Sequence, residues 1–385
     1  MKYLNIDTKD LELMGAYYTA KEISSQPEMW RKTYERVRKE KDQLKQFLDR
    51  AAEKDNSCVI LTGAGTSAFI GEALAGTFQK KWKVSTKSIA TTDIITHPED
   101  YFIRTKPTLL ISFARSGDSP ESLATVKLAE ANCDHLFKLI ITCNRKGELA
   151  LNSRSENSYV FLLPEGTNDK SLAMTSSFSS MLLAGLLILN LDDNEQMLSI
   201  IEGMSECGNF VLKENLSKLK SIANLDFKRA VFLGSGPFFG IAHESHLKVQ
   251  ELSDGKVICK YDSFLGFRHG PRAVVDDTTL ITYLLSNNSY VQQYEVDLIK
   301  SINESPTGAK SVGVGFDFDD NGLNVDFAIK FPGCVIDIPE EFSTVLYILP
   351  AQIIGFYKSL DLGLEPDSPS KGGAISRVVK GVKIY

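Results

Sequence analysis

Histidine is scarce, at five in 385 residues, and the one close grouping, His243-Glu244-Ser245-His246, lacks the i, i+4 spacing of a helical H-E-x-x-H zinc site. A histidine-built metal centre is therefore not expected. An excess of positive charge is also missing: 43 Lys and Arg stand against 49 Asp and Glu, a net charge of −6. Without a global basic field the chain has no sequence-independent grip on nucleic acid or on an anionic membrane, so any anion must be caught locally. Long apolar runs are absent too. The longest, Met181 to Leu189, falls well short of the roughly 20 residues that span a bilayer, and Met1-Lys2-Tyr3-Leu4-Asn5-Ile6-Asp7 has no resemblance to a signal peptide. The six cysteines, Cys58, Cys133, Cys143, Cys207, Cys259 and Cys334, never fall at C-x-x-C spacing and read as buried reduced thiols. The expected location is the cytoplasm.

What is present is an ordinary globular composition, 43% hydrophobic and 24% charged. The length exceeds the roughly 250 to 300 residues at which single cores stop growing, so two domains are expected. Residues 1–50 read as a helical arm outside the core, punctuated by Gln26-Pro27. Cys58-Val59-Ile60-Leu61 is then an apolar strand ending at Thr62-Gly63-Ala64-Gly65-Thr66-Ser67, with a helix from Ala68. Further strand–helix units start at Thr108 to Ser112, followed by a helix from Ala114 to Leu128, and at Leu139 to Cys143. A charged helix-like stretch, Asp192 to Leu225, precedes a second opening at Ala230-Val231-Phe232-Leu233-Gly234-Ser235-Gly236-Pro237. The two openings repeat at a spacing of about 170 residues, too long for a solenoid and right for a duplicated α/β domain. Strands at Leu280 to Leu285, Ser311 to Gly315 and Cys334 to Ile338, and a helix from Thr344 to Leu360, complete the second half. The expected architecture is two tandem doubly wound parallel sheets, each an αβα sandwich: an arm at 1–50, a first domain at 51–205, and a second at 206–385 carrying a C-terminal tail.

Gly63-Ala64-Gly65-Thr66-Ser67-Ala68 fits the dinucleotide fingerprint in form. That reading requires an acidic residue about 20 positions on to hold a ribose, where the chain has Lys80-Lys81-Trp82-Lys83. The alternative is one phosphate, bound by backbone N–H groups at a helix start with the hydroxyls of Thr66 and Ser67. Arg115-Ser116-Gly117-Asp118-Ser119 is a second such loop, with a guanidinium and two hydroxyls that match a phosphate's oxygens. Gly65, Thr66, Ser67, Arg115, Ser116 and Ser119 are the candidate phosphate contacts. No cofactor is implied.

At these loops the chain resembles the sugar isomerase (SIS) domains of the isomerase half of glucosamine-6-phosphate synthase. Lys21-Glu22-Ile23-Ser24-Ser25-Gln26-Pro27, Gly65-Thr66-Ser67, Ser116-Gly117-Asp118-Ser119, Leu247-Lys248-Val249-Gln250-Glu251-Leu252-Ser253 and Arg268-His269-Gly270-Pro271 carry the likeness. Ser112 to Gly117 and Arg377 to Val382 are similar to phrases of the subgroup described as tagatose-6-phosphate ketose/aldose isomerases and galactosamine-6-phosphate deaminases. Two departures stand out. Ala114 replaces a phosphate-binding serine, for which Arg115 is the substitute. Leu172-Ala173-Met174-Thr175-Ser176 replaces V-A-S-T-K, leaving Thr175 as a supporting residue.

The resemblance implies that Glu251 moves a proton between C2 and C1 of an open-chain sugar, with Lys248 one helical turn away to orient it. It implies that His269, in a loop fixed by Gly270 and Pro271, opens the ring and comes from a neighbouring subunit of a homodimer or larger homo-oligomer. It implies a Schiff-base role for Lys380. The chain shows no glutaminase segment ahead of the arm to supply ammonia, so the expected reaction runs in the deaminating direction, from galactosamine 6-phosphate to tagatose 6-phosphate and ammonia. Plain aldose–ketose isomerisation, and a non-catalytic sensor of sugar phosphates, are the alternatives.

Overall fold

The computed structural model describes all residues except 53–55, 154, 193, 334–336 and 380, and no side chain at 52, 194 or 195. The chain divides into two compact units. One comprises Met1–Pro27, Lys170–Thr175 and Glu202–Ala374; the other comprises Glu28–Asp169, Ser176–Ile201 and Ile375–Tyr385. The first opens with a hairpin of β1 (Lys2–Tyr3) and β2 (Ile6–Asp7).

The unit from Glu28 holds a five-stranded parallel sheet of β3 (Cys58–Thr62), β4 (Ser85–Ser88), β5 (Thr108–Ala114), β6 (Leu136–Thr142) and β7 (Ser158–Leu162), ordered β4-β3-β5-β6-β7. The other unit repeats the pattern with β8 (Arg229–Gly234), β9 (Ile258–Asp262), β10 (Thr279–Leu284), β11 (Lys310–Gly315) and β12 (Phe327–Lys330), ordered β12-β11-β10-β8-β9. Counted within its own sheet, each order is 2-1-3-4-5, the doubly wound flavodoxin-like arrangement, so the expected tandem architecture is what the chain adopts. Helices cover both faces, which is why the central strands are apolar without alternation: all seven residues of β5 are buried. Each fully buried Leu, Ile or Phe there contributes roughly 1.5–3 kcal/mol.

In a sheet of this order the chain reverses direction between its first and third strands, and the loops at their carboxyl ends leave a crevice. In the first sheet these strands are β3 and β5, whose ends are in register at Thr62 and Ser112. Both candidate phosphate loops therefore flank one crevice. In the second sheet the equivalent loops follow β8 and β10.

Several expectations are corrected. β5 runs on to Ala114 and the following helix is Pro120–Asn132, because proline at its first turn is compatible with a helix start but not with its interior. The arm lies inside the fold: Tyr17–Lys39 continues through Pro27, and Ala20, Ile23 and Trp30 are fully buried. The stretch Asp192 to Leu225 is two helices, Asn194–Glu214 and Leu216–Ala223, and Thr344 to Leu360 falls on Glu340–Tyr347 and Leu349–Asp361, which Pro350 opens. Among the described residues the last strand is β12; the first three residues of the expected strand Cys334 to Ile338 lie outside them. Among the described residues no helix is long and apolar enough to cross a membrane.

Candidate active site

Gly63 and Gly65 make the first loop possible. A Cβ on Gly63 would lie 2.5 Å from the backbone of Ser67, and Gly65 has φ of 54°, a left-handed conformation that side chains resist. The backbone therefore doubles back tightly and presents the start of helix Thr66–Trp82, which has no side-chain cap. Thr66 and Ser67 are buried in its first turn.

The second loop, 115–119, leads into helix Pro120–Asn132. Ser119 occupies the capping position, but its hydroxyl donates to Ser122 Oγ at 2.7 Å and does not cap the helix. Ser116 Oγ accepts from Asp118 N at 3.2 Å, and Gly117 has φ of 70°. Neighbouring turns brace the loop: Asn144 Nδ2 donates to Ser116 O at 2.8 Å, and Glu148 N to Asp118 Oδ1 at 3.0 Å. Two helix starts without side-chain caps, next to four hydroxyls, are suited to one phosphate. Arg115, a candidate phosphate contact, also binds within the chain. The residue is 7% exposed, and Nη2 donates to the backbone carbonyl of Arg377 at 2.5 Å.

The equivalent crevice of the second sheet has the same backbone and a different filling. Gly236, with φ 56° and ψ −125°, matches Gly65, with φ 54° and ψ −128°. After β10, however, the donors are satisfied from within. Ser286 N donates to Glu295 Oε2 at 3.0 Å, Ser286 Oγ and Asn287 N both donate to Glu340 Oε1, and Asn288 Oδ1 caps helix Ser289–Asn303. Burial, with a smaller push from Glu340, raises the Glu295 carboxyl to about 7. Carboxylates already occupy the position a second phosphate would need.

Helix Pro237–Leu252 carries the acid–base candidates. Glu244, Lys248 and Glu251 share one face by their spacing of four and three. The fully buried Lys248 ammonium lies 2.6 Å from Glu251 Oε2 and 3.3 Å from Glu244 Oε1. The Glu251 side chain keeps 21% of its surface exposed, whereas Glu244 has none. One carboxylate is thus an internal anchor, and the other is held by the same lysine with a face open for chemistry. The sequence reading met Glu244 only in the H-E-x-H grouping set aside as a metal site, although its i−4 relation to Lys248 is visible there.

On the neighbouring face, His243 stacks on Tyr261 at a centroid distance of 3.7 Å, and burial lowers His246 to about 4. His269 stands exposed in the turn after helix Phe264–Phe267, its backbone N–H on Gly266 O. Thr175 is buried, and its carbonyl accepts from Gln352 Nε2, whose Oε1 accepts from Gln26 Nε2 at 2.7 Å. Glu22, one turn before Gln26, accepts from Lys170 N and from Ser171, so the arm motif holds the 170–175 segment in place. Lys380 lies outside the described residues. Among the described residues no group of three His, Cys, Asp or Glu could hold a metal ion.

The SIS (sugar isomerase) domain family matches residues 54–191, which hold the doubly wound unit with paired uncapped helix starts at its switch point. The D-galactosamine-6-phosphate deaminase AgaS of Shewanella sp. (strain ANA-3) is 39% identical over 389 residues, covering 99% of this chain and 95% of that protein. A solved structure from Clostridium novyi NT superimposes with a TM-score of 0.97 at 44% identity, covering 100% of this chain and 99% of the other. The tagatose-6-phosphate ketose/aldose isomerase of Escherichia coli superimposes with 0.88 at 32%, with the same coverage. The chain belongs to the SIS family, in the branch that holds the D-galactosamine-6-phosphate deaminases AgaS.

Proposed function

We propose that the chain is a sugar-phosphate isomerase of the deaminating kind, converting galactosamine 6-phosphate and water into tagatose 6-phosphate and ammonium. The observation that carries this reading is the Lys248–Glu251 pair, a carboxylate locked in orientation by a buried ammonium and still partly exposed. The names of the relatives supply the substrate.

In this reading the 6-phosphate sits on the loops 63–67 and 115–119. His269 opens the ring, giving an aldehyde at C1 and an amine at C2. Glu251 then removes the C2 proton as the C1 oxygen takes one up, and the product is an enolamine. Returning a proton to C1 makes C2 an iminium, to which water adds. Ammonium leaves from C2, and a ketone remains. Each proton transfer by a positioned base contributes roughly 10²–10⁴-fold. Lys380 is assigned the amine that engages the ketose carbonyl, and Thr175 a supporting place beside the sugar.

His269 is proposed to serve the site of a neighbouring copy in a homo-oligomer, consistent with its exposure here. Mixing Glu251→Gln with His269→Asn protein under subunit exchange should then restore about a quarter of the sites of a statistical dimer. No recovery despite proven exchange places both residues in one chain's site.

A second reading, tagatose 6-phosphate isomerisation without loss of nitrogen, is favoured by the name of the E. coli structural relative. One experiment separates the two. Ammonium and ketose are measured with purified protein on galactosamine 6-phosphate, glucosamine 6-phosphate and tagatose 6-phosphate. Ammonium release fastest from the first supports deamination; turnover of tagatose 6-phosphate with no ammonium from either aminosugar supports the second reading.

A further inference from the structure

The C-terminal segment Ile375–Tyr385 belongs to the unit that carries the loops 63–67 and 115–119. Arg377 fastens it there. Its Nε and Nη2 both donate to the backbone carbonyl of Asp169, at 2.9 and 2.5 Å, and Nη2 also reaches Asn168 Oδ1 at 3.0 Å. That anchor is itself rigid, because the fully buried Asp169 carboxylate caps helix Ser176–Leu189 by accepting from Ser177 N at 2.9 Å and Ser177 Oγ at 2.5 Å. The carbonyl of Arg377 meanwhile accepts from Arg115, the first residue of the loop 115–119. One tail residue is thus gripped from two sides, by its side chain on the 168–169 turn and by its backbone on the second loop.

We propose that Arg115 and Arg377 are positioning residues that couple phosphate occupancy of the loop 115–119 to the seating of the C-terminal tail. The proposal rests on the phosphate reading of that loop. A guanidinium is a planar fork with donors on several edges, so one arginine is able to serve a tail carbonyl and a phosphate together. A phosphate bound at Ser116 and Ser119 lies next to the Arg115 backbone and holds its guanidinium in the orientation that grips Arg377. The grip in turn seats the described tail residues that follow Arg377. An empty loop leaves Arg115 less constrained and the tail more easily released.

The test reads tail release directly, by trimming the C-terminus of the full-length protein with a carboxypeptidase and following mass with time. Galactosamine 6-phosphate or inorganic phosphate should slow trimming of the wild type. Arg377→Ala should speed trimming about ten-fold, the effect of losing a hydrogen bond to a charged group, and abolish protection by either ligand. Its thermal midpoint should stay close to wild type, while kcat falls and KM changes little, a split that general loosening of the fold would not give. Arg377→Lys, which keeps the charge without the two-edged geometry, should lie in between. Arg115→Ala should speed trimming and also weaken the sugar phosphate in calorimetry. Trimming of Arg377→Ala at the wild-type rate overturns the tether. Sugar phosphate that binds the wild type by calorimetry without slowing its trimming overturns the coupling while leaving the proposed function intact. Absence of any sugar-phosphate binding by calorimetry removes both.

Discussion

The Lys248 ammonium lies fully buried between two carboxylates of its own helix, 2.6 Å from Glu251 and 3.3 Å from Glu244. Removing one partner from a buried ionic group is far more damaging than the pair is stabilising, because the remaining charge stays desolvated. Lys248→Met should therefore destabilise the fold by about 3–5 kcal/mol in urea unfolding, and should lower turnover in the protein that remains folded. A variant of unchanged stability would show that the carboxylates find other partners.

Ser116 and Ser119 are proposed to touch the phosphate equally before and during the reaction, which is uniform binding. Alanine at either position should raise KM with kcat nearly unchanged, each at a cost of about 1–3 kcal/mol, the range for hydrogen bonds to a charged group. Unchanged KM in both variants places the phosphate elsewhere.

The second sheet's crevice yields a prediction about pH. Burial raises Glu295 from 4.5 to about 7, with Glu340 adding a smaller push, while the backbone hydrogen bond from Ser286 and the Ser235 hydroxyl act in the opposite direction. The folded state thus keeps a proton that the unfolded chain gives up. The stability this contributes is fully present below about pH 4.5 and is lost as pH rises through about 7, on the order of 3 kcal/mol. Glu295→Gln should flatten that slope, so that the variant gains on the wild type between pH 4.5 and about 7 in urea titrations. Parallel curves would contradict the assignment.

Much of this was visible in the residues, and the exceptions share a cause. The six strands readable in advance, β3, β5, β6, β8, β10 and β11, are the inner strands of the two sheets, covered on both faces and written as apolar runs. The four missed in these two sheets, β4, β7, β9 and β12, are the edge strands, and Ser85-Thr86-Lys87-Ser88 or Ile258-Cys259-Lys260-Tyr261-Asp262 has no apolar run to betray it. The arm misled for a related reason. Its buried face mixes Ala20, Ile23 and Trp30 with the polar Thr19, Glu22, Gln26 and Thr33, so it shows no clean apolar stripe, and Pro27 looks like a break although the helix passes through it. In the candidate site, the glycine turns and the Lys248–Glu251 spacing were legible because both are local. The roles of Arg377 and Glu340 were not, since each acts on residues far away in the chain, Arg377 on Asp169 and Glu340 on Ser286.

The assignment of Glu251 as the proton-transfer base is tested most directly by single-turnover measurement of ammonium release from galactosamine 6-phosphate by the Glu251→Gln protein, with substrate affinity determined by calorimetry. Glutamine preserves the size and hydrogen-bonding capacity of the side chain and removes its basicity. Release should fall by roughly 10²–10⁴-fold while the dissociation constant stays within a few-fold of wild type. Release at the wild-type rate would contradict the account, because the carboxylate that Lys248 holds would then have no part in the chemistry.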